Sequence, residues 1–307
     1  GSVRGIETRI LNAVAKTNQA YLNSRIDIRL NLVRMVETAY AEAGDMRDTL
    51  AKLRGADDGF MDELHALRDE TGADIVTLFS ADASYCGITS VMTEASPAFA
   101  ATAFAVVHDD SVHSCLGSNN TFAHELAHLQ GNVHNHENSP YPGILPSAFG
   151  YRVCGVFRDI MAYPCQGEPR IPYFSTANQL LTYQGQPLGA VGSADIAGVM
   201  ALTAPTLANF RTPAAVTSLP AAPTSLLITG ASLMWTDNAD NESGYTVERS
   251  VDGMNWTEAG AVVSDTNGFS DTGLTAGETY YYRVCAWNSA GKSAYSNVVQ
   301  GTEPSLP

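Results

Sequence analysis

The run from His124 to His134 constrains this chain more than any other feature of its sequence. On a helix, side chains four positions apart project from one face, so the imidazoles of His124 and His128 can reach the same ion. Gly131 lets the chain leave the helix through a left-handed or otherwise strained turn, which brings His134 back to that ion. Three neutral histidine ligands leave one coordination position open, as a catalytic zinc requires. The sequence therefore predicts a zinc site, with Glu125 beside the position of a metal-bound water.

These residues form the pattern H-E-x-x-H-x-x-G-x-x-H, which resembles the zinc-binding sequence of the metzincin proteases. The resemblance implies one catalytic Zn2+ on the three histidines, with Glu125 as the general base and acid of peptide-bond hydrolysis. Metzincins also carry a methionine in a tight turn beneath the metal, and Met161 fits this position. We expect Met161 to be a packing residue without a chemical step. Tyr163 follows two places later, where it either donates a hydrogen bond to the developing oxyanion or is only a packed ring.

The wider resemblance is to the bacterial reprolysin-like metzincins and covers residues 1 to 211. Four further segments carry it, at 85–88, 114–123, 170–175 and 203–211. It implies an α+β zinc protease domain with an α/β/α layout and a mixed sheet. The sequence departs from the family pattern in two ways. Asn135 follows the third histidine where many reprolysins have aspartate, and the chain opens on a helical pattern without the usual apolar first strand.

The cysteines indicate an oxidising compartment. Four of them, Cys86, Cys115, Cys154 and Cys165, lie in the part of the chain that resembles a protease, and the fifth is Cys285. Four cysteines suggest two disulfides, in any of three pairings. The family resemblance favours Cys86–Cys115 and Cys154–Cys165. The competing interpretations are reduced thiols in a cytosolic protein or cysteine metal ligands, and no C-x-x-C spacing supports the latter.

The composition is that of an acidic protein with ample material for hydrophobic cores. Its 307 residues carry a formal charge of −15, and 45% of them are hydrophobic. This charge argues against binding to nucleic acid or to anionic membrane surfaces, because both require basic patches. No apolar run approaches the length of a membrane span, and no signal peptide is visible. Together with the resemblance, this leads us to expect a secreted, extracellular, bacterial protein in a mature or trimmed form, monomeric in solution.

Hydrophobic periodicity predicts the elements of the first part of the chain. Helices are predicted over 4–22, within 45–71 and over 193–209, and strands over 25–36, 74–80 and 104–108. Ser193 is the candidate N-cap of the last helix. In metzincins, a strand such as 104–108 is the sheet edge that lines the cleft, where an extended peptide can add to the sheet by main-chain hydrogen bonds.

A second domain is predicted after residue 211. Residues 212–221 form a linker, and residues 222–303 contain strand-like runs separated by Asp, Asn and Gly turns. A leucine-glycine-tyrosine pattern that ends at Tyr280 resembles the tyrosine corner of fibronectin type III domains, which implies an all-β immunoglobulin-like sandwich. Trp235 is then a core residue, and strand alternation places Cys285 on the outer face, unpaired.

The sequence thus predicts a secreted zinc-dependent endopeptidase of protein or peptide substrates, in which a zinc-activated water is deprotonated by Glu125. The alternative is a catalytically weak or inactive metzincin-fold protein that acts as a surface-binding or adhesive module through its fibronectin type III domain. Because three ligands already complete the zinc set, we expect the remaining histidines not to bind it. These are His65, His108, His113 and His136.

Two further features of the sequence stay open. Asp109-Asp110 and Glu137-Asn138 suggest a calcium site, against a default of a solvated acidic surface. The segment expected beside the zinc mixes Arg170 with apolar residues, so neither an acidic nor an apolar substrate preference is excluded.

Overall fold

The computed structural model describes residues 3–42, 44–109, 115–212, 218–272 and 274–302. It divides the chain into two compact units. The first unit consists of Gly1–Asn31 and Glu37–Thr212, and the second of Leu32–Val36 and Pro213–Pro307. None of the described helices combines the length and the apolar character that crossing a membrane requires.

The first unit contains the helices that the sequence predicts, with shifted ends. They are α1 (Val3–Asn23), α2 (Met46–Arg54), α3 (Glu63–Thr71), α4 (Thr121–Leu129) and α5 (Ile196–Leu207). Short 3-10 helices occupy Pro97–Thr102 and His136–Asn138. The predicted cap of the last helix is wrong. Asp195, not Ser193, caps α5, because its Oδ1 accepts a hydrogen bond from Gly198 N at 3.1 Å.

A small mixed sheet forms the centre of the first unit. The strands of this unit are β1 (Val76–Ser80), β2 (Gly87–Thr89), β3 (Phe104–His108), β4 (Val133–Asn135), β5 (Phe149–Gly150), β6 (Arg152–Val153), β7 (Phe157–Arg158), β8 (Thr182–Tyr183) and β9 (Gln186–Pro187). The sheet order is β1-β3-β2, with β3 parallel to β1 and antiparallel to β2. The strand expected at the edge is therefore the central one, and β2 is the outer strand on the side of the cleft.

Helices pack on both faces of β3, because its side chains alternate between them. Ala105 and Val107 lie in one buried cluster with Leu126 and Leu129 of α4. Phe104 and Val106 lie in another cluster, together with Met46, Leu50 and Leu53 of α2. All five residues of β3 are buried, which makes it a rigid support for the helix that carries the histidines.

The predicted strand at 25–36 is wrong. The burial of the chain alternates as the sequence suggests, since Ile26 is buried and Ile28 and Leu30 pack against the core. The segment is nevertheless no strand, because its described backbone joins no sheet. Leu30 bonds instead to a side chain of α1, with its N donating to Asn18 Oδ1 at 2.8 Å and its carbonyl accepting from Asn18 Nδ2 at 2.9 Å.

The second unit is the all-β sandwich that the sequence predicts. Its strands are β10 (Thr224–Thr229), β11 (Ser232–Thr236), β12 (Gly244–Ser250), β13 (Thr257–Val263), β14 (Gly268–Ser270), β15 (Thr279–Asn288), β16 (Gly291–Lys292) and β17 (Val299–Thr302). One sheet has the order β10-β11-β14, and the other has β13-β12-β15 with β16 and β17 both paired to β15. Trp235 lies in the core between them with Tyr245, Tyr280 and Val284. Cys285 is unpaired as predicted, and it is fully buried.

Candidate active site

The three histidines of the sequence pattern converge on one point. His124 and His128 project from the same face of α4, and His134 reaches them from β4. Their nearest ring nitrogens all lie within 4.8 Å of one another. The Nε2 atoms of His124 and His134 are 3.1 Å apart. Such a spacing suits nitrogen ligands that share one ion at about 2.0–2.1 Å each.

Backbone carbonyls set the orientation of two of these rings. His124 Nδ1 lies 2.9 Å from the carbonyl oxygen of Ile160, and His128 Nδ1 lies 2.8 Å from that of Asn132. A carbonyl can only accept, so Nδ1 carries the hydrogen and Nε2 presents its lone pair to the shared point. Burial lowers the pKa of His124 well below its usual value and that of His128 to about 4. Both rings are therefore neutral, as metal ligands must be.

The turn after α4 depends on Gly131. Its φ is +88°, a conformation that L side chains rarely adopt. A Cβ at this position would lie 2.5 Å from Ile144 Cγ2. The turn brings His134 onto β4, where the ring of Tyr163 stacks on it with centroids 4.4 Å apart.

Glu125 lies beside the histidines in the same cleft. Its side chain is 4% exposed, and burial raises its pKa to about 8, an effect that the nearby positive charge of Arg170 opposes. The outer strand β2 makes room for it at Gly87, where an added Cβ would lie only 2.6 Å from Glu125 Oε1. A buried carboxylate whose pKa is near neutrality is suited to accept and return a proton.

The methionine turn lies directly beneath α4. Met161 is fully buried in a core cluster with Ala123 and Ala127 of that helix. The turn is held by Asp159, which is also fully buried. Asp159 Oδ1 accepts hydrogen bonds from the backbone N of Met161 at 3.0 Å and of Ala162 at 2.8 Å, and its Oδ2 accepts one from Ser175 N at 3.0 Å. Burial raises the pKa of Asp159 to about 7, and these N–H groups oppose the shift.

Tyr163 lines the cleft with its side chain partly exposed. Its position is held by Asn135, the residue at which the sequence departs from the family pattern. The Asn135 side chain is buried, and its Oδ1 accepts a hydrogen bond from Tyr163 N at 3.0 Å. Burial and the charge of Glu125 raise the pKa of Tyr163, so its hydroxyl stays protonated and able to donate.

The cleft itself has a volume of about 550 Å³ and is lined by β2, α4 and the segments near the methionine turn. Besides the histidines and Glu125, it contains the side chains of Arg158 and Arg170. Sequence analysis placed Gly87 and Arg170 in segments that carry the family resemblance without giving either residue a role, and it missed Arg158 and Asp159. Their roles depend on contacts between distant segments, which only the fold brings together.

Both expected disulfides are present. Cys86–Cys115 and Cys154–Cys165 have Cα–Cα distances of 5.3 and 5.7 Å. The first joins the lead-in to β2 to the lead-in to α4, so it ties together two sides of the cleft.

Among the described residues, the histidine group that could hold a metal consists of His124, His128 and His134. His65 Nε2 faces the Leu53 carbonyl at 3.2 Å, and His136 Nε2 faces Ser193. The suggested calcium site finds no support, because Asp109 pairs with Arg9 and Glu137 pairs with Arg152. Two residues of these predictions, Asp110 and His113, lie outside the described part of the chain.

Comparison with known proteins shows the family of the chain. Among solved structures, a Fn3-like protein from Clostridium thermocellum matches with 30% identity and a TM-score of 0.25, and the match covers 29% of this chain and 99% of that protein. Two proteins named peptidyl-Asp metalloendopeptidase are 38% identical, over 200 residues in Xanthomonas campestris and 204 residues in Stenotrophomonas maltophilia. Each match covers 65% of this chain and 46% of the relative, so the chain spans less than half the length of these relatives. Residues 1–175, more than half of the chain, match the family model of the reprolysin-like metallo-peptidases of family M12. The chain therefore belongs to metallo-peptidase family M12.

Proposed function

We propose that this chain is a secreted zinc-dependent endopeptidase that hydrolyses peptide bonds of proteins, with Glu125 as general base and acid. The observation that carries the proposal is the convergence of His124, His128 and His134 beside the buried Glu125 in one open cleft. The membership in a metallo-peptidase family and the disulfides of an oxidising compartment support it.

The donor set fits zinc. Three neutral imidazoles on a rigid helix and strand are the ligands of a catalytic site with an open fourth position. The Nδ1 contacts of His124 and His128 to carbonyl oxygens supply the outer hydrogen bonds that orient such ligands. A zinc ion held there would polarise the scissile carbonyl and lower the pKa of a bound water.

Glu125 moves the proton in this proposal. Its carboxylate accepts a proton from the attacking water and returns it to the leaving amine. Two features of the site support this role. The strand β2 packs against the Glu125 side chain at Gly87, and burial keeps the pKa of its carboxyl group close to neutrality. Tyr163 is proposed to donate its hydroxyl hydrogen to the oxyanion, since it stacks on His134 at the mouth of the cleft.

An extended substrate has a place to bind. The outer strand β2 lines the cleft, and in the described sheet it pairs only with β3. We propose that the peptide adds to β2 by main-chain hydrogen bonds, which would lay its backbone across the histidines.

The domain organisation belongs to the same proposal. In this proposal, residues 1–211 are the catalytic domain with an α/β/α layout, which the helices packed on both faces of β3 support. Residues 212–221 are a linker, and 222–303 are a fibronectin type III domain. The named relatives are peptidyl-Asp metalloendopeptidases, so we propose bonds next to aspartate as the substrate class.

The test compares casein hydrolysis by the wild-type protein and by Glu125→Ala, with the zinc content of both samples determined. Loss of the general base is expected to reduce turnover about 100- to 10,000-fold at equal zinc content. Glu94→Gln removes an exposed carboxylate of the same unit and should leave turnover unchanged. A folded, zinc-loaded Glu125→Ala protein that cleaves at the wild-type rate would refute the proposed mechanism.

A further inference from the structure

The cleft contains two positive charges that the proposed hydrolysis does not use. Arg158 and Arg170 line it, and Glu125 is the single acidic side chain among its described lining residues. The chain as a whole has 32 acidic residues against 17 lysines and arginines. The cleft therefore reverses the sign of charge of the protein around it, and a low-dielectric cleft with such charges attracts an anionic group.

The backbone holds the two arginines side by side. Arg158 and Arg170 form a parallel β-bridge. Arg158 N donates to Pro169 O at 3.0 Å, and Ile171 N donates to Arg158 O at 2.8 Å. Paired residues of a bridge project to the same face, and like charges opposite each other in this way are destabilising. Burial and the charge of Arg158 lower the pKa of Arg170 to about 10, which still leaves it cationic at neutral pH.

The protein satisfies only part of the hydrogen-bonding capacity of these two side chains. Arg170 Nη1 donates to the Asn119 carbonyl at 2.5 Å, and Arg158 Nη1 donates to the Ala162 carbonyl at 3.1 Å. The Nε atoms of both are buried without a partner. Across the described residues, no carboxylate forms an ion pair with either guanidinium. A guanidinium with free donors matches the two oxygens of a carboxylate.

A purely structural explanation would make the arginines counter-ions of the buried Asp159. The oxygens of Asp159 already accept three backbone hydrogen bonds, and neither arginine bonds to them. Arg170 also lines the same cleft as His124, Glu125 and His134, which places its side chain beside the reacting centre.

We propose that Arg170, supported by Arg158, forms a subsite that binds the carboxylate of an acidic substrate side chain directly flanking the scissile bond. The inference rests on the proposed function, because the subsite determines which peptide bonds are hydrolysed at the three histidines. The two guanidiniums are the specificity-determining groups, and an acidic side chain relieves the repulsion between them.

The experiment uses the full zinc-loaded chain and two fluorogenic peptides that differ only in Asp or Asn at one position, with the cleaved bond located by mass spectrometry. The wild-type protein is expected to prefer the Asp peptide in kcat/KM by about 10- to 100-fold, as charge-assisted hydrogen bonds of about 1.5–3 kcal/mol imply. Arg170→Gln should bring the ratio of the two kcat/KM values close to one, and Arg158→Gln should reduce it in part. Arg29→Gln removes the same charge from an exposed position of the same unit and should keep the wild-type ratio.

The outcomes separate the subsite from the hydrolytic function. A wild-type protein that cleaves both peptides equally, or an Arg170→Gln protein that keeps the preference, overturns the subsite and leaves the endopeptidase standing. If Arg170→Gln does not fold, Arg170→Lys replaces it, because lysine keeps the charge without the paired donors. The ratio of kcat/KM for the Asp and Asn peptides should then lie between one and the wild-type ratio. An unchanged ratio overturns the proposal. If the wild-type protein cleaves neither peptide, the proposed function fails. The subsite is then tested by calorimetric titration of Glu125→Ala with the same two peptides. Equal affinities for the Asp and Asn peptides would overturn the subsite.

Discussion

Substitution of Gly87 is expected to lower activity strongly, although this residue carries no reactive group. A Cβ added there would lie 2.6 Å from Glu125 Oε1, 2.7 Å from Glu125 Cγ and 2.8 Å from Thr121 Cγ2, whereas ordinary contacts begin at 3.4 Å. In Gly87→Ala, the carboxylate must therefore retreat by about 0.8 Å, because the backbone of β2 is held by its pairing with β3. A misplacement of about 1 Å at a reacting centre costs about 100-fold in rate, or roughly 2.7 kcal/mol in activation free energy.

The assay is kcat/KM on a fluorogenic peptide, together with the zinc content and the melting temperature of each variant. Gly87→Ala should lower kcat/KM about 30- to 100-fold, since the shift approaches 1 Å, and it should retain its zinc. Thr77→Ser changes a side chain of β1 in the same sheet, outside the residues that line the cleft, and serves as the control.

A double-mutant cycle tests the physical cause. Glu125→Asp withdraws the carboxylate by one methylene, so adding Gly87→Ala to it should lower kcat/KM much less than in the wild-type background. The reasoning is refuted if Gly87→Ala keeps wild-type kcat/KM, or if its effect is equally large in both backgrounds.

Two further predictions concern stability. Asp159→Ala leaves three buried N–H groups without their acceptor, at about 1–3 kcal/mol each, so the free energy of unfolding should fall by at least about 3 kcal/mol in chemical denaturation. A loss below 1 kcal/mol would contradict the role of its carboxylate. Replacing both cysteines of a bridge by serine should cost about 3.6 kcal/mol for Cys86–Cys115, with a separation of 29 residues, and about 2.8 kcal/mol for Cys154–Cys165, with a separation of 11. The reverse order in denaturant titrations would show that loop entropy is not the controlling quantity.

The metal-ligand pattern could be predicted from sequence because it is local. Helix geometry alone places His124 and His128 on one face, and the φ of Gly131 follows from the need to bring His134 back. The sandwich of the second unit was equally accessible, since its strands alternate and its turns carry Asp, Asn and Gly.

The features that the sequence could not reveal depend on contacts between distant segments. The alternation at 25–36 is real, but it reflects packing against a core and a side-chain partner in α1 rather than a sheet. Arg158 and Arg170 become neighbours only through an isolated bridge between the end of β7 and a later segment, and Gly87 reaches Glu125 only because β2 packs beside α4. Hydrophobic periodicity in a sequence predicts which face of a segment is buried, but it does not predict which element packs against that face.

Asp159 joins the stability of the fold to the metal site. Its carboxylate holds the turn that places Met161 under α4, and the Ile160 carbonyl in the same turn accepts the hydrogen of His124 Nδ1. Groups that orient a metal ligand in this way typically raise metal affinity about 10- to 100-fold. The Asp159 carboxylate thus holds both Met161 and the Ile160 carbonyl in place. Its loss should therefore lower zinc affinity and the free energy of unfolding together. Loss of a disulfide acts mainly on the entropy of the unfolded chain, and it should lower stability without a matching loss of zinc affinity.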